Sequence, residues 1–294
     1  MRLRRSTVLV PANVDRMVAK SRDFGADVVL LDLEDAVPAI DAEKAKARRN
    51  MAEVLSQGGF RAGEVSVRVN GPRTAWFAED IAAAIAAGAD SLTLPHTYGA
   101  DDVARAEDAI AAIAAAKPPE ILLAVETPAT LLELEAIARR TKRISGLYVA
   151  PVDFTLAIGS TALLFGAGAL AGGEQLLWLR HKLLTVARAY GWNAVDAPIV
   201  ANPRDADAVR AAMAASRALG FDGTGVLYPD HIAIANAVFA PSVDELAWAD
   251  EIIARFESLR DGRAADAGGG KLVMVQHYEF AKGLRQLATR VGAA

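Results

Sequence analysis

The chain has no cysteine, which excludes disulfides, a thiolate nucleophile and a thiolate-ligated zinc. It has no long run of lysine and arginine, and its formal net charge is −4. A nucleic-acid or anionic-membrane surface is therefore not expected, because gripping phosphates needs concentrated positive charge. No apolar stretch is long enough to span a bilayer. The basic start, Met1-Arg-Leu-Arg-Arg-Ser6, is followed only by the short apolar run Thr7 to Val10, too short for the core of a signal peptide. His181 and His277 lack the HExxH spacing of a zinc site. These absences lead to the expectation of a cytoplasmic protein that handles small molecules.

What is present is apolar and periodic. Hydrophobic residues make up 53% of the 294, enough for one large core. Strand-like runs at Thr7–Val10, Val28–Leu33, Val65–Val69, Ser91–Leu94, Ile121–Val125, Gly146–Ala150, Ala194–Asp196 and Gly225–Leu227 alternate with helical patterns. The helical stretches are Asp15–Phe24, Asp41–Gln57, Trp76–Ala87, Asp101–Ala116, Ala129–Thr141, Glu174–Tyr190, Pro203–Leu219 and Pro229–Phe239. About eight βα units predict an α/β fold, a TIM (β/α)8 barrel. The rival, a doubly wound sheet, lacks its Gly-rich fingerprint after the first strand.

Local punctuation supports these bounds: Asp15, Asp41 and Asp101 stand where helices begin and read as caps, while Gly88, Gly191 and Gly220 stand where helices stop. Thr155 to Gly173 reads as a long loop and a candidate lid. The barrel is expected over 1–240. A C-terminal helical extension is expected over 241–294, with a helix at Ser242–Arg260, a flexible stretch Ala264–Gly270 and a tail helix Lys271–Arg290. That tail can dock on a neighbouring subunit.

In such barrels the carboxyl ends of the strands carry the chemistry. That rule selects Pro11, Asp32, Glu34, Asp35, Arg68, Asn70, His96, Glu126, Asp153 and Asp196. Glu126 and Asp153 end neighbouring strands, and two oxygen ligands suit Mg²⁺, which takes one or two carboxylates and keeps other positions for water or substrate. Asp32, Glu34 and Asp35 are then expected to hold metal-bound waters. The forked guanidinium of Arg68 suits a substrate carboxylate or a developing enolate. Each acid has a plainer reading as a helix cap or a solvated strand end. His96 reads as a rim histidine no less than as a ligand, and Asp196 as a site wall no less than as a structural hydrogen-bonding group.

With these residues assembled, the chain resembles the citrate lyase beta-subunit-like family of the HpcH/HpaI aldolase superfamily, which includes malyl-CoA and citramalyl-CoA lyases. The carriers are Leu9-Val-Pro-Ala12, Ala26 to Val37 with Lys44 and Ala47-Arg48, Val67-Arg-Val-Asn70, Val125-Glu-Thr-Pro128, Val152-Asp-Phe154, Val195-Asp-Ala-Pro198, Leu219 to Gly223 and Asn236 to Ser242. The resemblance implies a Mg²⁺-dependent carbon–carbon lyase on a TIM barrel, acting on a small 2-oxo or hydroxy acid or its CoA thioester as a homotrimer or hexamer. It makes Glu126 and Asp153 metal ligands. It also makes Arg68 a substrate-binding and enolate-stabilising group; with the strand-end residues added, the catalytic candidates are Arg68, Glu34 and Asp35, and the candidate substrate contacts are Arg68, Glu126, Pro11 and Asp196.

The chain departs from the family pattern at His96 in place of a lysine, at Ala150-Pro151, at Ala157-Ile-Gly159, and at Thr224 and Tyr228 in place of basic residues. Gln276 stands where the acyl-CoA lyases carry a tail acid supplied to a neighbouring subunit. These changes leave two alternatives open: a CoA-independent aldolase on pyruvate or oxaloacetate aldols, and a catalytically altered barrel serving as a ligand-binding or assembly subunit.

Overall fold

In a computed structural model, described over residues 2–161, 173–258, 265–266 and 272–292, eight strands close into a barrel in chain order. They are β1 (Ser6–Pro11), β2 (Val28–Asp32), β3 (Glu64–Arg68), β4 (Ser91–Leu94), β5 (Glu120–Val125), β6 (Ile144–Val149), β7 (Asn193–Asp196) and β8 (Gly223–Val226). All pairings are parallel, and β1 closes the ring by placing Thr7 opposite Val28 on one side and Gly225 on the other. Runs such as Val28-Val-Leu-Leu-Asp32 are buried throughout, as strands covered on both faces must be.

The surrounding helices are α1 (Asp15–Ser21), α2 (Asp41–Gln57), α3 (Phe77–Ala87), α4 (Ala100–Ala112), α5 (Pro128–Leu132), α6 (Leu134–Arg140), α7 (Pro151–Ala157), α8 (Leu177–Tyr190), α9 (Ala206–Leu219) and α10 (His231–Val238). The expected (β/α)8 barrel is therefore the observed one. Gly88, Gly191 and Gly220 adopt left-handed conformations at the ends of α3, α8 and α9, as a side-chain-free C-cap allows. The N-terminal expectation is corrected. Asp15, Asp41 and Asp101 lie inside first turns whose N-cap residues, Val14, Ile40 and Gly99, make no side-chain cap bond. Their carboxylates act on the helix dipole instead.

Two further differences matter. The stretch expected as one helix from Ala129 to Thr141 breaks at Glu133 into α5 and α6. The Glu133 carboxylate reaches across to accept from the Ala100 amide at 3.0 Å, capping α4, which lacks a cap of its own. The chain after β6 does not open directly into a loop but forms α7, with Asp153 in its first turn. The remainder of the expected lid, 162–172, lies outside the described residues.

The barrel floor is a buried polar plug. Arg4 donates from Nε to Glu64 Oε2 at 2.8 Å and from Nη2 to Glu64 Oε1 at 2.9 Å, and reaches Glu120 and Asn193 at 3.3 Å. These partners come from β3, β5 and β7, alternate staves of the kind that share a layer in such barrels. Both side chains of the Arg4–Glu64 pair are almost fully buried. Arg4→Ala is expected to cost about 3–5 kcal/mol, because it strands the Glu64 carboxylate in the core. Urea unfolding measures this, and an unchanged midpoint would refute it.

By internal packing the chain divides into Met1–Asn236 and Ala237–Ala294. The second unit holds α11 (Val243–Glu257), the short antiparallel strands β9 (Ala265–Asp266) and β10 (Leu272–Val273), and α12 (Val275–Val291). Ser242 and Glu245 form a reciprocal capping box at the start of α11, which matches the sequence pattern for that motif. Its core gathers Ala249, Ile252, Val273, Ala281 and Leu284. Most of the expected flexible stretch 264–270 lies outside the described residues. Among the described residues, no helix is long and apolar enough to cross a membrane.

Candidate active site

Asp32 ends β2 with its carboxylate fully buried. Its two oxygens accept from the Glu34 and Ala36 amides at 3.0 and 2.9 Å. They also accept from Arg68 Nε and Nη2 at 2.7 and 2.6 Å. Four donors use the whole accepting capacity of a carboxylate. Asp32 therefore has no lone pair for a metal-bound water, which corrects the expected role; it is the clamp that aims Arg68. The loop carrying Glu34 and Asp35 is tied down from behind: buried Lys44 donates to the Leu33 and Glu34 carbonyls, both at 2.8 Å. Asn70 adds a bond to the Leu33 carbonyl at 3.0 Å.

Arg68 Nη1 lies 3.1 Å from Glu34 Oε2 and 3.9 Å from Asp35 Oδ2. Burial would lower its pKa, but Asp32, Glu34 and Asp35 outweigh burial and raise it. Of the five N–H groups on a guanidinium, Asp32 takes one from Nε and one from Nη2, while Nη1 is held near Glu34 by charge without a hydrogen bond.

His96 follows β4 in a left-handed backbone conformation, φ 48°, uncommon for a residue with a side chain. Gly71 makes the neighbouring loop fit, since a Cβ there would come within 2.9 Å of His96 Cβ. The conformation turns both the His96 amide and its Nδ1 toward Glu126 Oε2, at 2.8 and 3.1 Å. Nε2 lies 2.8 Å from Glu34 Oε1. The carboxylate of Asp35, 4.0 Å from Nε2, and that of Glu34, which accepts from Nε2, hold His96 protonated, its pKa pushed up to about 11. His96 in turn holds Asp35 below the usual carboxylate range. Burial, the largest influence, raises Glu34.

Glu126, after β5, is 2% exposed. Burial first, and then the nearby Asp153 and Glu34 charges against the opposing pull of His96, raise its carboxyl to about 7. Asp153 shares the same cavity wall and sits at the amino end of α7, where the helix dipole favours a carboxylate. Five carboxylates, Asp32, Glu34, Asp35, Glu126 and Asp153, thus meet three cations, Arg68, His96 and, from behind the loop, Lys44. A hard divalent cation balances that excess, and the oxygen donors of Glu126 and Asp153 fit Mg²⁺. Glu34, Asp35 and His96 also lie within 4.8 Å of one another. There the protonated ring and Arg68 already supply positive charge; the ring reaches Glu126 as well, through one oxygen only.

Of these groups Arg68, Glu126 and Asp153, together with Tyr148, line a cavity of about 570 Å³ at the carboxyl ends of the strands, whereas Asp32, Glu34, Asp35 and His96 stand behind its wall. Tyr148, a position that sequence reasoning passed over inside an apolar strand, is half-buried; loss of water around its hydroxyl pushes it up to about 12 and keeps it a neutral donor. Its only sequence partner signal is Gly225: a Cβ there would lie 1.7 Å from the Tyr148 hydroxyl, so β8 must carry glycine at this point.

Two expected substrate contacts are not on the cavity wall. Asp196 is fully buried and is held by Arg180 Nε at 3.1 Å and by the Ser216 hydroxyl at 2.6 Å. It bonds β7 to α8 and α9, so its charge is already spent and the expected substrate role is corrected. Pro11, half-buried at the end of β1, is likewise absent from the lining. Thr224 is buried within β8, and Gln276 belongs to the C-terminal unit.

Comparison with known proteins supports the same reading of the fold. The family model for HpcH/HpaI aldolase/citrate lyase matches residues 5–229. A (3S)-malyl-CoA thioesterase of Cereibacter sphaeroides is 35% identical over 280 residues, spanning 95% of this chain and 92% of that protein. The citrate lyase subunit beta of Leuconostoc mesenteroides is 31% identical over 278 residues, spanning 92% and 89%. Among solved structures, CitE of Mycobacterium tuberculosis, in complex with magnesium, acetoacetate and coenzyme A, superposes with TM-score 0.78 at 25% identity, covering 97% of both chains.

Proposed function

The chain belongs to the HpcH/HpaI aldolase/citrate lyase family, and from that premise we propose a Mg²⁺-dependent carbon–carbon lyase acting on a small 2-oxo or hydroxy acid or its CoA thioester. The observation that carries the reading is the convergence of Glu126 and Asp153 on one cavity with Arg68. Glu126 and Asp153 would hold the ion, which supplies Lewis-acid polarisation of a substrate oxygen.

The chain's own groups do the rest. Arg68, aimed by Asp32, offers its remaining N–H groups to a substrate carboxylate or to the negative charge that grows on an enolate. Glu34 and Asp35 keep a proton on His96 Nε2 at the edge of the site. Tyr148 offers a neutral hydroxyl, and the apolar remainder of the wall keeps water away, which strengthens each electrostatic contact.

A CoA-independent aldolase is the second reading. What favours it is that, among the described residues, Arg68 and His231 are the basic residues on the lining, so CoA phosphates find no lysine there. Calorimetry with CoA against pyruvate separates the two, since tight CoA binding would remove the second reading. A cytoplasmic homotrimer or hexamer accompanies the proposal by family likeness; a single-protomer mass in light scattering would sink the oligomer.

The activity test is direct. Purified protein with Mg²⁺ is expected to cleave at least one of malyl-CoA, citramalyl-CoA or a free hydroxy acid, to stop on addition of EDTA, and to recover with Mg²⁺. Silence across that panel would remove the lyase reading.

A further inference from the structure

The cavity has two chemically different ends. The polar lining described above comes from β3 to α7, whereas the β7–α9 connection, the inner face of α9 and the end of β8 contribute Pro198, Ile199, Val209, Met213, Val226 and Leu227. Val209 and Met213 are buried, and Ile199 stands at the margin with 38% exposure. The basic residue at this end is His231. Its Nε2–H is given to the Pro203 carbonyl at 2.8 Å, and its ring packs against Tyr228.

A second carboxylate at this end would lose its water without gaining a guanidinium or ammonium partner, which is strongly unfavourable. It would also add charge to a site where acids already outnumber bases. A hydrocarbon group gains by the same transfer. The volume of about 570 Å³ falls in the range of sites for ligands well larger than pyruvate.

Resting on the lyase reading above, we propose that the chamber built by Ile199, Val209, Met213 and Val226 takes an uncharged alkyl or aryl substituent, so that one product of cleavage is an aliphatic or aromatic aldehyde or ketone. For a 4-hydroxy-2-oxo acid, the C3–C4 bond breaks and the C4 hydroxyl loses its proton to become the carbonyl of that product. The electron pair of the broken bond stays on C3 as the enolate of the 2-oxo acid, which then takes up a proton. No oxidant or reductant is consumed.

The test compares two non-cleavable 2-oxo acids by calorimetry with Mg²⁺ present: 4-phenyl-2-oxobutanoate, which ends in a ring, and 2-oxoglutarate, which ends in a carboxylate. The phenyl acid is expected to bind about tenfold or more tightly. Ile199→Lys, at a margin position where a charge can stay solvated, is expected to narrow or invert that ratio. Equal or tighter binding of 2-oxoglutarate to the unaltered protein overturns the proposal. Benzaldehyde, which has no carboxylate, probes the chamber independently of the polar end. Its binding in competition with the phenyl acid supports the proposal, and failure of both apolar probes overturns it. Failure of the lyase reading alone has a different signature: the apolar preference persists, and no 4-hydroxy-2-oxo acid is cleaved.

Discussion

Glu126→Gln is expected to lower kcat/KM by about a thousandfold or more, the equivalent of roughly 4 kcal/mol of lost charge stabilisation in the transition state. Glutamine keeps the shape and one carbonyl oxygen but removes the negative charge, and a hard dication depends on that charge. Mg²⁺ affinity, measured by calorimetry, should fall in parallel, and Asp153→Asn should act in the same direction. The fold should tolerate the first change well. Burial and the charge of Asp153 already press the Glu126 carboxyl toward its neutral form, so a neutral side chain relieves a cost in the metal-free protein. If Mg²⁺ bound Glu126→Gln with unchanged affinity, the ligand pair would be misassigned.

Arg68→Lys is the second large effect, expected to reduce kcat/KM by about 10²–10³-fold while leaving Mg²⁺ affinity nearly unchanged. An ammonium can approach one oxygen of Asp32, but it cannot span both while also reaching Glu34, as the guanidinium does at 2.6, 2.7 and 3.1 Å. The substituted lysine would be drawn to the acids behind it and away from the substrate. Arg68→Ala is a poorer test, because it leaves Asp32 buried without its partner, at a cost of about 3–5 kcal/mol to the fold. Steady-state kinetics and Mg²⁺ calorimetry on Arg68→Lys separate the two roles. Activity within a factor of about three of the unaltered protein would show that the fork is not what the reaction uses.

The two predictions differ in how far they could be read from the chain. Glu126 and Asp153 were visible as acids after apolar runs, since the carboxyl ends of parallel strands must converge. The apolar runs themselves were visible because strands buried on both faces leave little room for polar residues. The ends of α3, α8 and α9 were legible in Gly88, Gly191 and Gly220, where a left-handed residue favours glycine. The beginnings were less so, because aspartate is favoured both as a cap and in the first turn. Asp15 and Asp41 are of the second kind.

The break at Glu133 was hidden for another reason. Its cause is a carboxylate drawn to the amide of Ala100, 33 positions earlier, and no periodicity within residues 129–141 reports it. Tyr148 was hidden too, since a tyrosine in a barrel strand looks like filler until Gly225 across the ring is seen to make space for its hydroxyl.

From its order of residues alone, this protein's barrel, the face on which its chemistry lies and the set of acids on that face were determined, because each depends on periodicity and on strand ends. Tertiary structure decided which acids remain available. Asp32 is consumed by Arg68 at a separation of 36 residues, and Asp196 by Arg180 and Ser216 at 16 and 20. Glu126 and Asp153 are left facing the cavity. A carboxylate's role follows from the donors that reach it through space, and those donors are set by how helices and strands pack, not by its neighbours along the chain.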